Sequence, residues 1–324
     1  MSFILCVGEA LIDFVAQSHV SDVGSSELFR RAAGGAVANV AVGVARLGGD
    51  ARFAGTISTD AFGRYLLRTL AHEGVNVDGV RSVAEATTLA FVARGEQGER
   101  DFLFVRNPGA DSRLDVADLD ARLVSRARML HFGGVLLATE PARSACLGVA
   151  AAAHRAGALV SFDANVRPQL WESRDEMRRI TLAGCARAAL VKLSEDDAQE
   201  LGIDPNSAGK LVQETTRAVV LTRGARGATT WISGGARFDT PAPRVEAIDT
   251  TGAGDAMTAG ILWTLLHKER DLTADALRDA VRFGCAAGAL ACLREGAIPS
   301  LPSAAAVENL LARSAHPDWG KPER

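Results

Sequence analysis

Residues 249–260 read DTTGAGDAMTAG, and the architecture of the chain turns on how that stretch is taken. "RVEA" (residues 244–247) before it reads as a strand and "MTAGILWTLL" (residues 257–266) after it as a helix, so Gly252, Gly254 and Asp255 fall at a strand-to-helix junction. Two readings stand. One is a glycine turn with Asp255 as the helix N-cap. The other is an anion hole: glycines let backbone amides converge, and the N–H groups and dipole of a helix start favour negative charge. Asp255 would then be an ionised carboxylate able to accept the proton of an attacking hydroxyl as a phosphoryl group arrives. Met257 stands where a dinucleotide-binding fingerprint needs its third glycine, and no GxxxxGK[ST] occurs, so a P-loop is excluded.

Outward from that junction, apolar β-rich runs recur: "FILCVG" (3–8), "ARFAGTI" (51–57), "ARMLHFGGV" (127–135), "ALVSFDA" (158–164), "AALVKLS" (188–194) and "AVVLTRG" (218–224). Helical patterns lie between them, among them "AVANVAVGVARLG" (36–48), "AFGRYLLRTLAHEG" (61–74), "PARSACLGVAAAAHRAG" (141–157) and "SEDDAQELG" (194–202). Gly48 and Gly157 sit where left-handed caps are expected. Such alternation predicts an α/β fold with a mainly parallel sheet covered by helices on both faces. Residues 11–32 and 87–107 break the rhythm by alternating apolar and polar residues with no room for a crossover helix. The second predicts a hairpin, "LAFVAR"–"GEQG"–"RDFLFV". We assign these segments to a small separate β lid over 11–33 and 81–107, with the main domain over 1–10, 34–80 and 108–324. The lid's exposed apolar face would suit a homodimer interface.

Bulk properties narrow the function. Lys+Arg 36 against Asp+Glu 39 gives a net charge of -3, which argues against general affinity for nucleic acid or an anionic membrane. Hydrophobic residues make up 48% without a long apolar span, so a soluble cytoplasmic protein is expected. "MSFILCVGEALIDFV" lacks a basic leader and reads as a strand. The five cysteines (Cys6, Cys146, Cys185, Cys285 and Cys292) are scattered among apolar neighbours, as buried thiols rather than disulfides or a metal site would be.

A second glycine-led helix start lies in "AAGGAVANVAVGVARLGG" (32–49). Gly34 and Gly35 would let a polar ligand approach, and Asn39 in the first turns supplies both a donor and an acceptor; a tight loop entering a core helix is the plainer alternative. Taken in this order, the two elements resemble the signature motifs of the ribokinase-like (PfkB) carbohydrate kinases. The resemblance runs from "VGEALIDF" (7–14) to "REGAIPSLP" (294–302) and is most specific where "VEAID" (245–249) leads into the glycine motif. Within that family "RDFLFVRNPGAD" (100–111), "SFDANVRPQLWES" (161–173) and "VKLSEDD" (191–197) look most like fructokinases.

That resemblance implies a three-layer α/β/α fold with a β-sheet lid, and ATP-dependent transfer of a phosphoryl group to a primary hydroxyl of a monosaccharide, fructose above all. Asp255 would be the base, with the amides of Gly252, Ala253 and Gly254 as the anion hole. Asp13, Gly34, Gly35, Asn39, Arg106, Asn165 and Arg167 would bind the sugar. ATP would meet Thr222, Gly224 and Gly227, with Cys285, Ala286 and Ala289 leaving room for adenine. Mg²⁺ and K⁺ are implied cofactors, the monovalent cation at Asp249, Thr251, Ala291, Arg294, Gly296 and Ser300, chiefly through main-chain carbonyls. The family's N-x-x-E motif appears here as Lys192-Leu193-Ser194-Glu195, so Glu195 is kept while an ammonium that could meet a nucleotide phosphate replaces an amide. Alternatives that share these motifs are a 2-keto-3-deoxygluconate kinase, in which Arg167 would bind a carboxylate, and a kinase for a nucleoside such as aminoimidazole riboside. A catalytically silent sugar sensor is the alternative of a different class.

Overall fold

A computed structural model describes residues 2–18, 20–95, 100–106, 108–268 and 271–313. Its strands are β1 Ile4–Val7, β2 Leu11–Ala16, β3 Phe29–Gly34, β4 Ala51–Ser58, β5 Asn76–Val83, β6 Leu89–Arg94 and β7 Arg100–Val105. They continue with β8 Met129–Gly133, β9 Leu159–Asp163, β10 Leu190–Ser194, β11 Ala218–Thr222, β12 Ala228–Ile232 and β13 Arg237–Thr240. The helices are α1 Ala36–Arg46, α2 Ala61–His72, α3 Ala121–Arg126, α4 Ala142–Arg155, α5 Arg174–Cys185 and α6 Glu195–Glu200. After them come α7 Ala253–His267, α8 Ala274–Ala291, α9 Ala297–Ser300 and α10 Ala304–Arg313.

Nine strands form the large sheet in the order β13-β12-β11-β10-β9-β8-β1-β4-β5. From β11 to β5 every neighbouring pair is parallel, while β12 and β13 extend the edge antiparallel. Residues of one strand alternate between two cores, which is why the strands read as apolar runs. Ile4 and Cys6 of β1 pack with α1, α7 and α8, whereas Leu5 and Val7 pack with α4 and α5 on the opposite face. The outcome is the expected α/β/α sandwich. Gly48 and Gly157 close α1 and α4 at φ 88° and 85°.

The remaining strands make a four-stranded sheet, β3-β2-β6-β7, with β2 parallel to β6 and both hairpins antiparallel. Its outward Phe14 stacks on Phe91 at 5.0 Å and meets Phe62 of α2 edge-on at 6.0 Å, anchoring this sheet to the larger one. Its boundaries differ from the expected ones. Residues 81–83 belong to β5 of the large sheet, and β3 runs on to Gly34. The hairpin tip, residues 96–99, lies outside the described residues. "RVEA" is irregular rather than a strand. Pro241 and Pro243 lack N–H donors just where the chain leaves β13, so no further ladder forms.

Candidate active site

Between the two sheets lies a cavity of about 850 Å³, walled by β2, β6 and β7, by the starts of α1 and α7, and by the ends of β9 to β11. The fold dictates that address: parallel strands all deliver their carboxyl ends, and the loops that follow, to one edge of the sheet.

At the start of α7, Gly252 is the N-cap at φ 79°, a left-handed conformation that L side chains rarely adopt. A Cβ there would also come within 2.9 Å of the Ala297 Cα, so α9 presses on this turn. A Cβ at Gly254 would lie 2.9 Å from the Lys192 ammonium. Asp255 is inside the first helical turn and does not cap it. Its Oδ2 accepts from Asn39 Nδ2 at 2.8 Å, and the Asn39 Oδ1 is buried without a hydrogen-bond partner. Burial pushes the Asp255 carboxyl up to about 6; Asp163 pushes the same way, against the Asn39 hydrogen bond, Lys192 and Arg167.

Asp13, at the centre of β2, is pushed up to about 7 by burial and by the neighbouring Asp255 charge, with Arg167 opposing. Its seat depends on Gly34, across the β2–β3 ladder, where a Cβ would fall 2.0 Å from Asp13 Oδ2. Gly35 and Asn165 line the cavity, Asn165 at φ 35°. Arg167, in the same wall, donates to Val166 O at 2.8 Å and lies over the Phe102 ring. Thr222 and Thr251 complete the set of expected residues that reach the cavity.

Others stand back from it. Arg106 is buried, ion-paired with Asp111 at 3.0 Å and bonded to Val135 O at 3.3 Å. Gly34 acts through Asp13, and Ala253 N–H is turned to Thr250 O at 3.3 Å. Glu195 is held by Arg226 at 2.6 Å and Arg223 at 3.2 Å. Gly224 and Gly227 bound the short turn that carries Arg226, outside the cavity wall. Cys285, Ala286 and Ala289 are buried in α8 and do not line this cavity; α8 meets α7 where Gly284 packs on Gly260, and Cys285 Sγ faces Thr240 O of β13 at 4.0 Å. Asp249 Oδ1 accepts from Thr251 N (2.9 Å) and Oγ1 (2.7 Å), and its Oδ2 accepts from Gly296 N (2.8 Å). That carboxylate ties the loop before α7 to the one before α9, which leaves main-chain carbonyls as the oxygens on offer to a cation from Asp249, Thr251, Ala291, Arg294, Gly296 and Ser300.

Sequence reasoning passed over three groups. Asp163, the last residue of β9, is buried against Lys192, its Oδ2 2.8 Å from Nζ. Glu9 lies in the cavity wall with Oε1 3.3 Å from Val37 N and Oε2 unpartnered; burial pushes it up to about 7. Asp196 and Glu200 of α6 also face the cavity. An acidic residue closing an apolar strand run was the available signal for Asp163. Nothing in the local sequence marks the other two groups.

A carboxylate, helix-start glycines and an amide side chain, gathered at one end of a cleft under a second sheet, define a site suited to a polyol beside an anion. The pfkB family carbohydrate kinase model matches residues 1–304. Fructokinase-1 of Oryza sativa subsp. japonica is 40% identical over 314 residues, covering 95% of this chain and 97% of that one. Among solved structures, fructokinase with bound ATP from Xylella fastidiosa aligns at TM-score 0.88 and 33% identity, over 97% of this chain and 99% of that one. Fructokinase from Vibrio cholerae O395 in its fructose-, ADP- and calcium-bound form aligns at TM-score 0.85 and 30% identity, over 96% and 99%. The chain belongs to the pfkB family of carbohydrate kinases.

Proposed function

We propose that the protein transfers the γ-phosphoryl group of ATP to the primary hydroxyl of fructose. The observation that carries this reading is the Asn39–Asp255 hydrogen bond at 2.8 Å beside the Gly252–Gly254 turn, inside a cavity roofed by the small sheet. The hydroxyl proton passes to the Asp255 carboxylate as its oxygen attacks phosphorus in line and the bond to ADP breaks. Asn39, through its free Oδ1, and the Asp13 carboxylate accept from sugar hydroxyls, with Gly35, Asn165 and Arg167 completing the pocket. The amides of Gly252 and Gly254 meet charge on the transferring group. Thr222, Lys192 and the Gly224–Gly227 turn form the nucleotide side, and closure of the sheet excludes water.

Among the described residues no cluster of three metal-ligating side chains occurs. Magnesium carried in by the nucleotide would be held by the cavity carboxylate of Asp196, with Glu200 beside it already paired to Arg174 at 2.8 Å, and would supply charge neutralisation. A potassium ion fits the carbonyls around Asp249. We include in the proposal a cytoplasmic location, for which no described helix is long and apolar enough to cross a membrane, and a homodimer through the outer face of the small sheet, where Leu103 and Val105 are half exposed.

Arg167 in the cavity wall also favours a carboxylate-bearing acceptor such as 2-keto-3-deoxygluconate. A coupled assay with ATP, Mg²⁺ and K⁺ on fructose, 2-keto-3-deoxygluconate, ribose and nucleosides separates these readings. Fructose should give the highest kcat/KM; if it gives the lowest, the substrate assignment is wrong. Sugar binding without any turnover would mean a sensor.

A further inference from the structure

Asp163 and Lys192 are directly opposed across the β9–β10 ladder, so both side chains leave the sheet on the face that α7 begins to cover. They meet at 2.8 Å with both groups buried. An ammonium is a poor guest in such a place unless a carboxylate accompanies it. The other acid of this corner, Asp197, is already engaged: its carboxylate accepts from Ser194 N, Ser194 Oγ and Val166 N at 2.7–2.8 Å, closing the start of α6. His131 of β8 contacts Ser161, and burial pulls it down to about 3, with Lys192 pulling the same way, so it stays neutral. Asp163 is therefore the group that grips Lys192.

The grip points somewhere. Lys192 lines the cavity, and its Nζ lies 2.9 Å from where a Gly254 Cβ would stand, so that glycine is the opening through which the ammonium reaches the turn. Asp163 takes one of three N–H donors, and its own Oδ1 is buried without a partner. We propose that Asp163 is a positioning residue for phosphoryl transfer, holding the Lys192 ammonium against the Gly252–Gly254 turn as a fixed counter-charge to the group in flight. This rests on the kinase reading of the site. It gives Lys192 a part in the transfer step itself, beyond holding the nucleotide.

The pair also brackets Asp255 electrostatically. The charged and titratable groups around that carboxyl are Asp163 of β9, Lys192 of β10, Arg167 after β9 and Asp13 of β2, with Asn39 of α1 hydrogen-bonded to it; Asp163 pushes it up and Lys192 pulls it down. Removing either partner must then move the acid limb of the rate in opposite directions, which loss of packing alone would not do.

The test uses the full chain with Asp163→Asn, Lys192→Met and the double variant, measuring kcat, KM for sugar and ATP, and the kcat–pH profile. Lys192→Met should lower kcat about 100-fold and Asp163→Asn about tenfold, with KM for the sugar little changed. The acid limb should move to lower pH in Asp163→Asn and to higher pH in Lys192→Met. In the Lys192→Met background the Asp163→Asn change should cost nothing further. That comparison decides the matter even if Asp163→Asn alone fails to fold, because the double variant buries no unpaired charge. A further loss in the double variant, or acid limbs that do not separate, overturns the proposal. A wild-type enzyme that phosphorylates no sugar overturns instead the kinase reading on which it stands.

Discussion

Asn39 Nδ2 donates to Asp255 Oδ2 at 2.8 Å across 216 residues of sequence, joining the first turns of two helices that begin at the same cavity. The bond holds the carboxylate in one orientation while its other oxygen stays available. Asp255→Asn keeps the shape and removes the base, so kcat should fall by about 10²–10⁴-fold. Sugar affinity, measured by calorimetry, should stay near the wild-type value. A variant keeping more than about a tenth of the activity would remove Asp255 from the role of base.

The pH profile should carry the mark of two buried carboxyls. Asp255 must be ionised to accept a proton, and its folded value lies at about 6; Asp13, at about 7, must be ionised to accept two hydroxyl protons. Rate is present above these values and is lost as pH falls through them. Since the Asp255 charge raises Asp13 and both groups must be ionised, log kcat/KM should fall more steeply than one proton allows below pH 6. A flat profile down to about pH 5 with folded enzyme would contradict this placement.

The same shift makes Asp13 a cost to the unliganded fold. Its carboxyl is raised from 3.8 to about 7, so its protonated form favours folding, and that contribution is lost as pH rises through about 7. Asp13→Asn should therefore raise the melting temperature more at pH 8 than at pH 5, while abolishing sugar binding. Equal gains at both pH values would mean that Asp13 is not buried as a titrating group.

The two glycines of the turn should fail differently. Gly252→Ala forces a side chain into φ 79° and against the Ala297 backbone, costing about 1–2 kcal/mol from the left-handed conformation alone, with the clash in addition. Gly254→Ala meets no backbone but only the Lys192 ammonium, so the melting temperature should fall less than for Gly252→Ala, while kcat drops as the ammonium is pushed from its seat on Asp163. Thermal melts paired with turnover numbers distinguish the two.

For the assembly, Leu103 is 52% exposed on the outer face of β7. Leu103→Glu should convert the proposed homodimer to a monomer in size-exclusion chromatography with light scattering. A wild-type protein that is already monomeric would end that part of the proposal.

Much of this could be read in the chain itself. Strands β1, β4, β8, β9, β10 and β11 are apolar runs because both sheet faces are covered, so local composition reports them faithfully. The antiparallel β12 and β13 and the true edges of the lid were not legible, since β5 alternates like a lid strand until its pairing with β4 is known. The helix-start glycines were visible, but their reasons were not: sequence shows that a Cβ is missing and never what would have struck it.

The residue order by itself determined the α/β sandwich, the second sheet and the family, because periodicity and motif spacing are local or contiguous properties. Tertiary structure alone decided that Asn39 reaches Asp255, that Lys192 is claimed by Asp163, and that Glu195 is claimed by two arginines. Those outcomes depend on which loops the parallel strands deliver to one edge, and on buried charges having to find partners there. Both are properties of distance in space, for which separation along the chain is no guide.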